Sequence, residues 1–262
     1  MTPRLLRIED VPATMELSTA AGWNQTAEDW RRMIELEPHG CFGVDCDGRL
    51  VATTTLICYG TDLAWLGMVL THRDYQRRGL ARRLVAAAVD EARGRQMRCI
   101  KLDATDQGHD LYASFGFIDE QPIERWKADI QVGQAPSLRR ALSPPPELDH
   151  QAFGTDRSRF IQTLGSPVFA TDDAYALTRP GTRAQYLGPV VASDPHAAHK
   201  VISAALHEGP WFWDLLPANA AARILALEFG FEPVRHLVRM RLGEPLRTRD
   251  DWIFAIGGFE AG

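Results

Sequence analysis

The sequence predicts a mixed α/β (α+β) protein in which one unit, with central strands flanked by helices, is used twice in tandem. Three observations predict it. Helix-period and strand-period stretches alternate through the first 130 residues. A passage running from Gln134-Ala135-Pro136 to Ser143-Pro144-Pro145-Pro146 then breaks the pattern. Beyond it, landmarks of the first half return in order. Trp65-Leu66-Gly67-Met68-Val69 is answered by Tyr186-Leu187-Gly188-Pro189-Val190, and Leu102-Asp103 by Trp213-Asp214. Phe115-Gly116-Phe117 is answered by Phe229-Gly230-Phe231, and the helix over 79–92 by one over 197–208. A single Phe-Gly-Phe match would mean little, but matches in register mark a repeat.

The elements follow in order. Residues 5–8 read as a short strand. A helix over 10–21 starts with Asp10 as its cap and Pro12 in its first turn. Gly22-Trp23-Asn24 breaks it, and Thr26 opens a second helix over 27–36 that Pro38 ends. Strands follow at 41–45, 50–58 and 64–71, with Asp47-Gly48 as the hairpin signal between the first two. The helix over 79–93 carries one apolar row of Leu80, Leu84 and Ala88 and another of Ala81, Val85 and Val89. A strand at 99–103, a helix near 107–115 and a strand pair across 117–130 complete the unit. In the second half, residues 253–258 read as a last strand packing back on the body.

Composition narrows the function. The chain has 262 residues, 45% hydrophobic and 24% charged, with a net charge of -5. That balance suits a globular protein, not a general nucleic-acid binder or a polybasic membrane-surface protein. The first residues contain no apolar h-region, and no apolar run approaches a membrane span. Cys41, Cys46, Cys58 and Cys99 show neither a CxxC pair nor zinc spacing. They read as reduced thiols of a cytoplasmic protein, with no metal expected.

The chemistry is concentrated at Val69-Leu70-Thr71-His72-Arg73-Asp74-Tyr75-Gln76-Arg77-Arg78-Gly79-Leu80-Ala81-Arg82-Arg83, where a strand enters a loop that becomes a helix. The first turn of a helix has unpartnered N–H groups and the positive end of the dipole. Five arginines gather there and no acid follows Asp74. Such crowding is unfavourable unless an anion binds, and Gly79 lets the backbone approach one. The pattern suits a pyrophosphate held mainly by amides.

Gln76-Arg77-Arg78-Gly79-Leu80-Ala81 resembles the Q/R-x-x-G-x-G/A signature of the GNAT superfamily of N-acetyltransferases. The strand before it, the helix after it and Leu111-Tyr112-Ala113-Ser114-Phe115-Gly116-Phe117 fit that pattern as well. The likeness covers residues 1–130. It implies a GNAT-like acetyl-CoA-binding unit over 1–132, a linker over 133–147 and a degenerate GNAT-like unit over 148–262. It also implies acetyl-CoA as co-substrate. The backbone of Val69, Leu70 and Thr71 would pair with the pantetheine arm, and the amides of Gln76, Arg77, Arg78, Gly79, Leu80 and Ala81, with Arg82 beside them, would hold the pyrophosphate. Arg73 departs from the proline common in the family.

Tyr112 falls on the family's tyrosine, placed to protonate the departing thiolate. The alternative is a tyrosine packed in the core with its hydroxyl satisfied, and position and helix context favour the acid. A backbone N–H near Val69 would stabilise the oxyanion. The general base is open: Asp103 faces the expected cleft and could act directly or through water, or merely cap the next turn. His72 and His109 read as surface histidines.

The second copy tests the first. Between Val190 and Ala197 it has a shorter loop without glycine or arginine, and Asp194 or Ser193 with Pro195 is an ordinary helix start. Leu225-Ala226 stands where the first copy has Leu111-Tyr112. The second half is therefore expected to build structure and part of the acceptor site. For that site Trp23, Asn24 and Asp214 are the candidates, with Trp211 and Trp213 alongside. Trp23 could instead staple two helices together. The expected reaction is acetyl transfer to a primary amine of a small metabolite, without nucleic-acid or membrane partners, and with a homodimer left open. A protein acetyltransferase, a non-catalytic acetyl-CoA sensor and a nucleic-acid binder are the alternatives.

Overall fold

The computed structural model describes residues 2–131, 138, 140–141, 143–165 and 167–262. The first half comprises β1 (Arg4–Leu5), α1 (Val11–Ala20), α2 (Ala27–Leu36), β2 (Cys41–Cys46), β3 (Arg49–Tyr59), β4 (Leu63–Thr71), α3 (Leu80–Gly94), β5 (Cys99–Ala104), α4 (Asp106–Ala113) and β6 (Ile118–Ile130). The second comprises β7 (Arg140–Ala141), α5 (Pro146–Phe153), α6 (Ser158–Thr163), β8 (Val168–Ala170), β9 (Ala174–Arg179), β10 (Gln185–Ala192), α7 (Pro195–Ala205), β11 (Gly209–Leu215), α8 (Ala220–Glu228), β12 (Glu232–Gly243) and β13 (Ile253–Ala255).

Local chemistry explains most starts and stops. Thr26 and Asp29 form a reciprocal capping box at α2: Thr26 Oγ1 accepts from the Asp29 amide at 3.2 Å, and the Asp29 carboxylate accepts from the Thr26 amide at 2.8 Å. Asp10 does not cap α1 as expected, because its carboxylate takes the Arg4 guanidinium and the Arg7 amide. The strand expected at 5–8 shrinks to Arg4–Leu5, and Ile8–Asp10 is a 3-10 turn. In α3, Leu80, Leu84, Ala88, Val85 and Val89 are buried as the periodicity predicts, while Ala81 stays outside the core beside an open groove. The expected linker is partly outside the described residues: Gln134-Ala135-Pro136 is. Pro146 is the first residue of α5, where its missing N–H costs nothing.

The strand pair expected across 117–130 is one continuous strand, β6. The reason lies in the topology, which is a single sheet in the order β1-β2-β3-β4-β5-β12-β6-β11-β10-β9-β8-β7, with β13 also on β10. The two halves have exchanged their last strands. β12 pairs with β5 of the first half and β6 with β11 of the second, while β6 and β12 pair antiparallel in the middle. β6 thus needs its full length to pair on both sides.

The exchange is fastened twice in the same way. Asp103 sits opposite Arg239 and accepts from its Nε and Nη2 at 2.8 and 3.0 Å. Asp214 sits opposite Arg125 and accepts from its Nε and Nη2 at 2.7 and 2.6 Å. Arg239 stacks over Trp65 at 4.6 Å, and Arg125 over Tyr186, the repeat counterpart of Trp65, at 5.9 Å. Trp126, Trp211 and Trp213 are buried at the crossing, each contributing on the order of 3 kcal/mol of apolar burial.

All four cysteines are free thiols, and burial pushes Cys58 and Cys99 up to about 11, away from reactivity. No helix among the described residues is long and apolar enough to cross a membrane, and no metal-ligating cluster occurs among them.

Candidate active site

The site opens where β4 leaves β5. The two strands pair in parallel only from Leu63 to Trp65. Beyond that, Met68 adopts a left-handed φ of 47° and the β3–β4 register shifts between Thr53 and Thr55. This bulge bends the strand. Thr53 Oγ1 holds it by donating to the Met68 carbonyl at 3.0 Å. Gly67 is required just before it, since a Cβ there would lie 2.8 Å from the backbone oxygen of Glu260.

The splayed edge leads into a groove of about 360 Å³ between Val69, Leu70 and Thr71 on one side and the start of α3 on the other. Gly79, at φ 76°, begins α3 with no side-chain cap and no acid in the first turn. A Cβ on Gly79 would meet nothing within 4 Å, so the helix end faces open space. The Gln76 side chain donates to the Thr71 carbonyl at 3.3 Å and ties the loop to β4. Gln76, Arg77, Leu80, Ala81 and Arg82 line the groove. Arg78 does not: its guanidinium stacks on Tyr75 at 4.9 Å and donates to the Asp74 carbonyl at 2.9 Å. An uncapped helix N-terminus with two lining arginines and room at its glycine fits a pyrophosphate.

A second cavity of about 440 Å³ lies beside the first and shares Val69, Thr105 and Tyr112 with it. Tyr112 is buried at their junction, and among the described residues nothing hydrogen-bonds its hydroxyl. Burial pushes its phenol above the ordinary value, so it is protonated at neutral pH.

Trp23 lines this cleft while packing against the core. Asn24 lines it too, but its amide is already used: Oδ1 accepts from the amides of Arg183 and Ala184, and Nδ2 donates to the Ala184 carbonyl. Asp103 borders the cleft with both oxygens held by Arg239, and burial raises its pKa. That fork makes it a fastener of β12 rather than a free base. Asp214 is fully buried behind Arg125 and Tyr186 and does not reach the cleft; Arg125 does.

The cleft also holds residues that sequence reasoning missed. Arg125 and Lys127 come from β6, Arg235 from β12, and Phe259 and Glu260 from the segment after β13. Their signal was the alternation of Arg125 and Lys127 around buried Trp126. Glu260 Oε1 accepts from Arg179 at 2.6 Å, and Oε2 from Gln25 at 3.2 Å.

The second copy has the same splay, but it is filled. β10 pairs with β11 up to Leu187, and β13 then pairs with Val190 and Val191. Trp213 Nε1 donates to the Phe254 carbonyl at 2.7 Å and the Ile256 amide to the Asp214 carbonyl at 2.9 Å, seating this segment between the strands. The α7 N-terminus is closed by Asp194, which accepts from the amides of His196 and Ala197.

The fold agrees with comparisons to known proteins. The family model described as Acetyltransferase (GNAT) family matches residues 4–117, and that described as Acetyltransferase (GNAT) domain matches residues 146–255. The chain belongs to the GNAT acetyltransferase family and carries two of its domains in tandem. It is 26% identical over 246 residues to the uncharacterized N-acetyltransferase YitH of Bacillus subtilis, covering 86% of each chain. A crystal structure from Pyrococcus horikoshii, provisionally described as an acetyltransferase, superposes with a TM-score of 0.89 at 24% identity, covering 99% of this chain and 95% of that one. A tandem GNAT protein from the clavulanic acid biosynthesis pathway does so at 0.65 and 15% identity, covering 92% and 97%. Those two likenesses establish the shared fold.

Proposed function

We propose that the chain transfers an acetyl group from acetyl-CoA to a primary amine of a small molecule, by direct attack. The observation that carries this reading is the junction: the pyrophosphate groove and the second cleft meet at Val69 and Tyr112. One cavity therefore suits the donor and the other the acceptor, with a protonated phenol between them.

Acetyl-CoA supplies the acetyl group as a thioester. The amides from Gln76 to Ala81, with Arg77 and Arg82, bind its pyrophosphate, and the free edge at Val69–Thr71 takes the pantetheine arm as a strand would. An N–H near Val69 donates to the carbonyl oxygen as charge develops there. Tyr112 gives its proton to the leaving sulfur. Glu260 takes the proton of the amine, directly or through water, because its Oε2 meets only the Gln25 amide while both oxygens of Asp103 are forked. Trp23 and Phe259 supply apolar wall.

The walls contributed by residues 22–25, β12 and the segment after β13 enclose the acceptor, which supports a small molecule over a protein. The test is release of CoA thiol from acetyl-CoA with a panel of small amines and of lysine peptides. Release with small amines supports the reading. Release with peptides alone moves it to proteins, and release with neither contradicts it.

A further inference from the structure

The acceptor cleft carries unbalanced positive charge. Asp103, Arg125, Lys127, Arg183, Arg235 and Glu260 line it. Four of them have a counter-charge: Asp103 on Arg239, Arg125 on Asp214, Glu260 on Arg179, and Lys127 on Glu232 at 3.1 Å. Among the described residues, Arg183 and Arg235 have no carboxylate within ion-pair reach. Arg183 Nη1 donates to the Gly22 carbonyl at 2.8 Å, which holds it at the rim.

Arg235 is the more telling of the two. It stands directly opposite Arg125 across the β12–β6 pair. Like charges facing each other on neighbouring strands destabilise a sheet, and Asp214 offsets only the Arg125 side of this pair, leaving Arg235 without a carboxylate of its own. The register that opposes them is set by a bulge between Pro233 and Arg235, and bulges beside active sites re-aim side chains. Arg235 is exposed to solvent at the cleft, and partial desolvation and the charge of Arg125 lower its pKa against an opposing pull from Asp214. A bound anion between the two strands would relieve both effects.

We propose that the acceptor is an amine that also carries an anionic group, carboxylate or phosphate, and that Arg235, assisted by Arg183, binds that group. The amine half of this statement rests on the acetyltransferase reading above; the anion half does not.

Calorimetry on the full chain tests it with matched probes, L-amino acids against their carboxamides and phosphoethanolamine against ethanolamine. The anionic member of at least one pair should bind about 10-fold or more tighter, from a charge-assisted hydrogen bond to a guanidinium. Which pair shows the gap tells carboxylate from phosphate. Arg235→Gln should shrink the gap, and Arg235→Lys should restore part of it. Equal binding within both pairs, or a gap indifferent to Arg235→Gln, overturns the proposal. The same probes are then assayed for CoA release. An Arg235-dependent gap without release keeps the anion site and defeats the transferase reading. Equal transfer to neutral and anionic amines keeps the transferase and defeats the anion site.

Discussion

The same splay between neighbouring parallel strands occurs twice in this molecule, and the two have opposite fates. Between β4 and β5 it is open, and the edge from Val69 to Thr71 faces a groove that ends at an uncapped helix. Between β10 and β11 it is filled by β13, and the facing helix is capped by Asp194. The scaffold therefore does not decide which copy can bind. What decides it is whether the chain satisfies its own edge amides and helix N–H groups or leaves them for a ligand. The second copy has been turned to another use. Its last strand completes the first copy's sheet, and the segment after β13 runs on to wall the second cleft with Phe259 and Glu260.

Tyr112 has no counterpart in the second copy, so its loss should show the largest effect. Tyr112→Phe keeps the ring and removes the hydroxyl. We expect kcat to fall by roughly 10²–10⁴, as for a general acid, or about 3–5 kcal/mol at 1.36 kcal/mol per decade. Acetyl-CoA affinity should hold. A loss confined to KM would make Tyr112 a binding residue.

The two crossing ion pairs allow the copies to be compared in stability. Arg239→Met leaves Asp103 buried without its partner, and breaking a buried pair from one side costs about 3–5 kcal/mol. Burial already raises the pKa of Asp103, and without Arg239 it must rise further. A carboxyl whose folded pKa exceeds its unfolded one binds more protons when folded, so the stability of this variant should fall as pH rises between those two values. Arg125→Met should cost a similar amount through Asp214. Denaturant melts across pH give both numbers, and a loss below about 1 kcal/mol for Arg239→Met would remove its pair from the account of the exchange.

Gly79→Val should act on the cofactor end alone. At φ 76° a β-branched residue is strained by about 1–2 kcal/mol, and its side chain would enter the open space at the helix end. We expect acetyl-CoA affinity to drop about 10-fold or more, about 1.4 kcal/mol, because the valine side chain takes space the pyrophosphate needs, while the strain itself lowers fold stability. Unchanged affinity by calorimetry would place the pyrophosphate elsewhere.

Much of this contrast was legible in the sequence because its signals are local. The Thr26–Asp29 box, the glycine and arginines before α3, and Asp194-Pro195 before α7 each act within a few residues. The strand exchange was not legible. β6 and β12 follow the same Phe-Gly-Phe segment, and a strand's hydrogen bonds do not record whose partner they meet. The aspartate ending β5 and β11 and the arginine in β12 and β6 were visible, but not that each aspartate takes the other half's arginine. Asp214 therefore appeared to be a substrate ligand when it anchors Arg125, which lines the cleft in its place. Asp103 looked free for the same reason. Arg235 was hidden by its bulge, since alternation places a side chain only while the register holds.

The central claim, that one copy binds and the other has filled its own slot, is tested most directly by acetyl-CoA calorimetry on the intact chain. One site per chain is the predicted result, abolished or weakened by Gly79→Val. Two sites per chain, or a single site untouched by Gly79→Val, would contradict it.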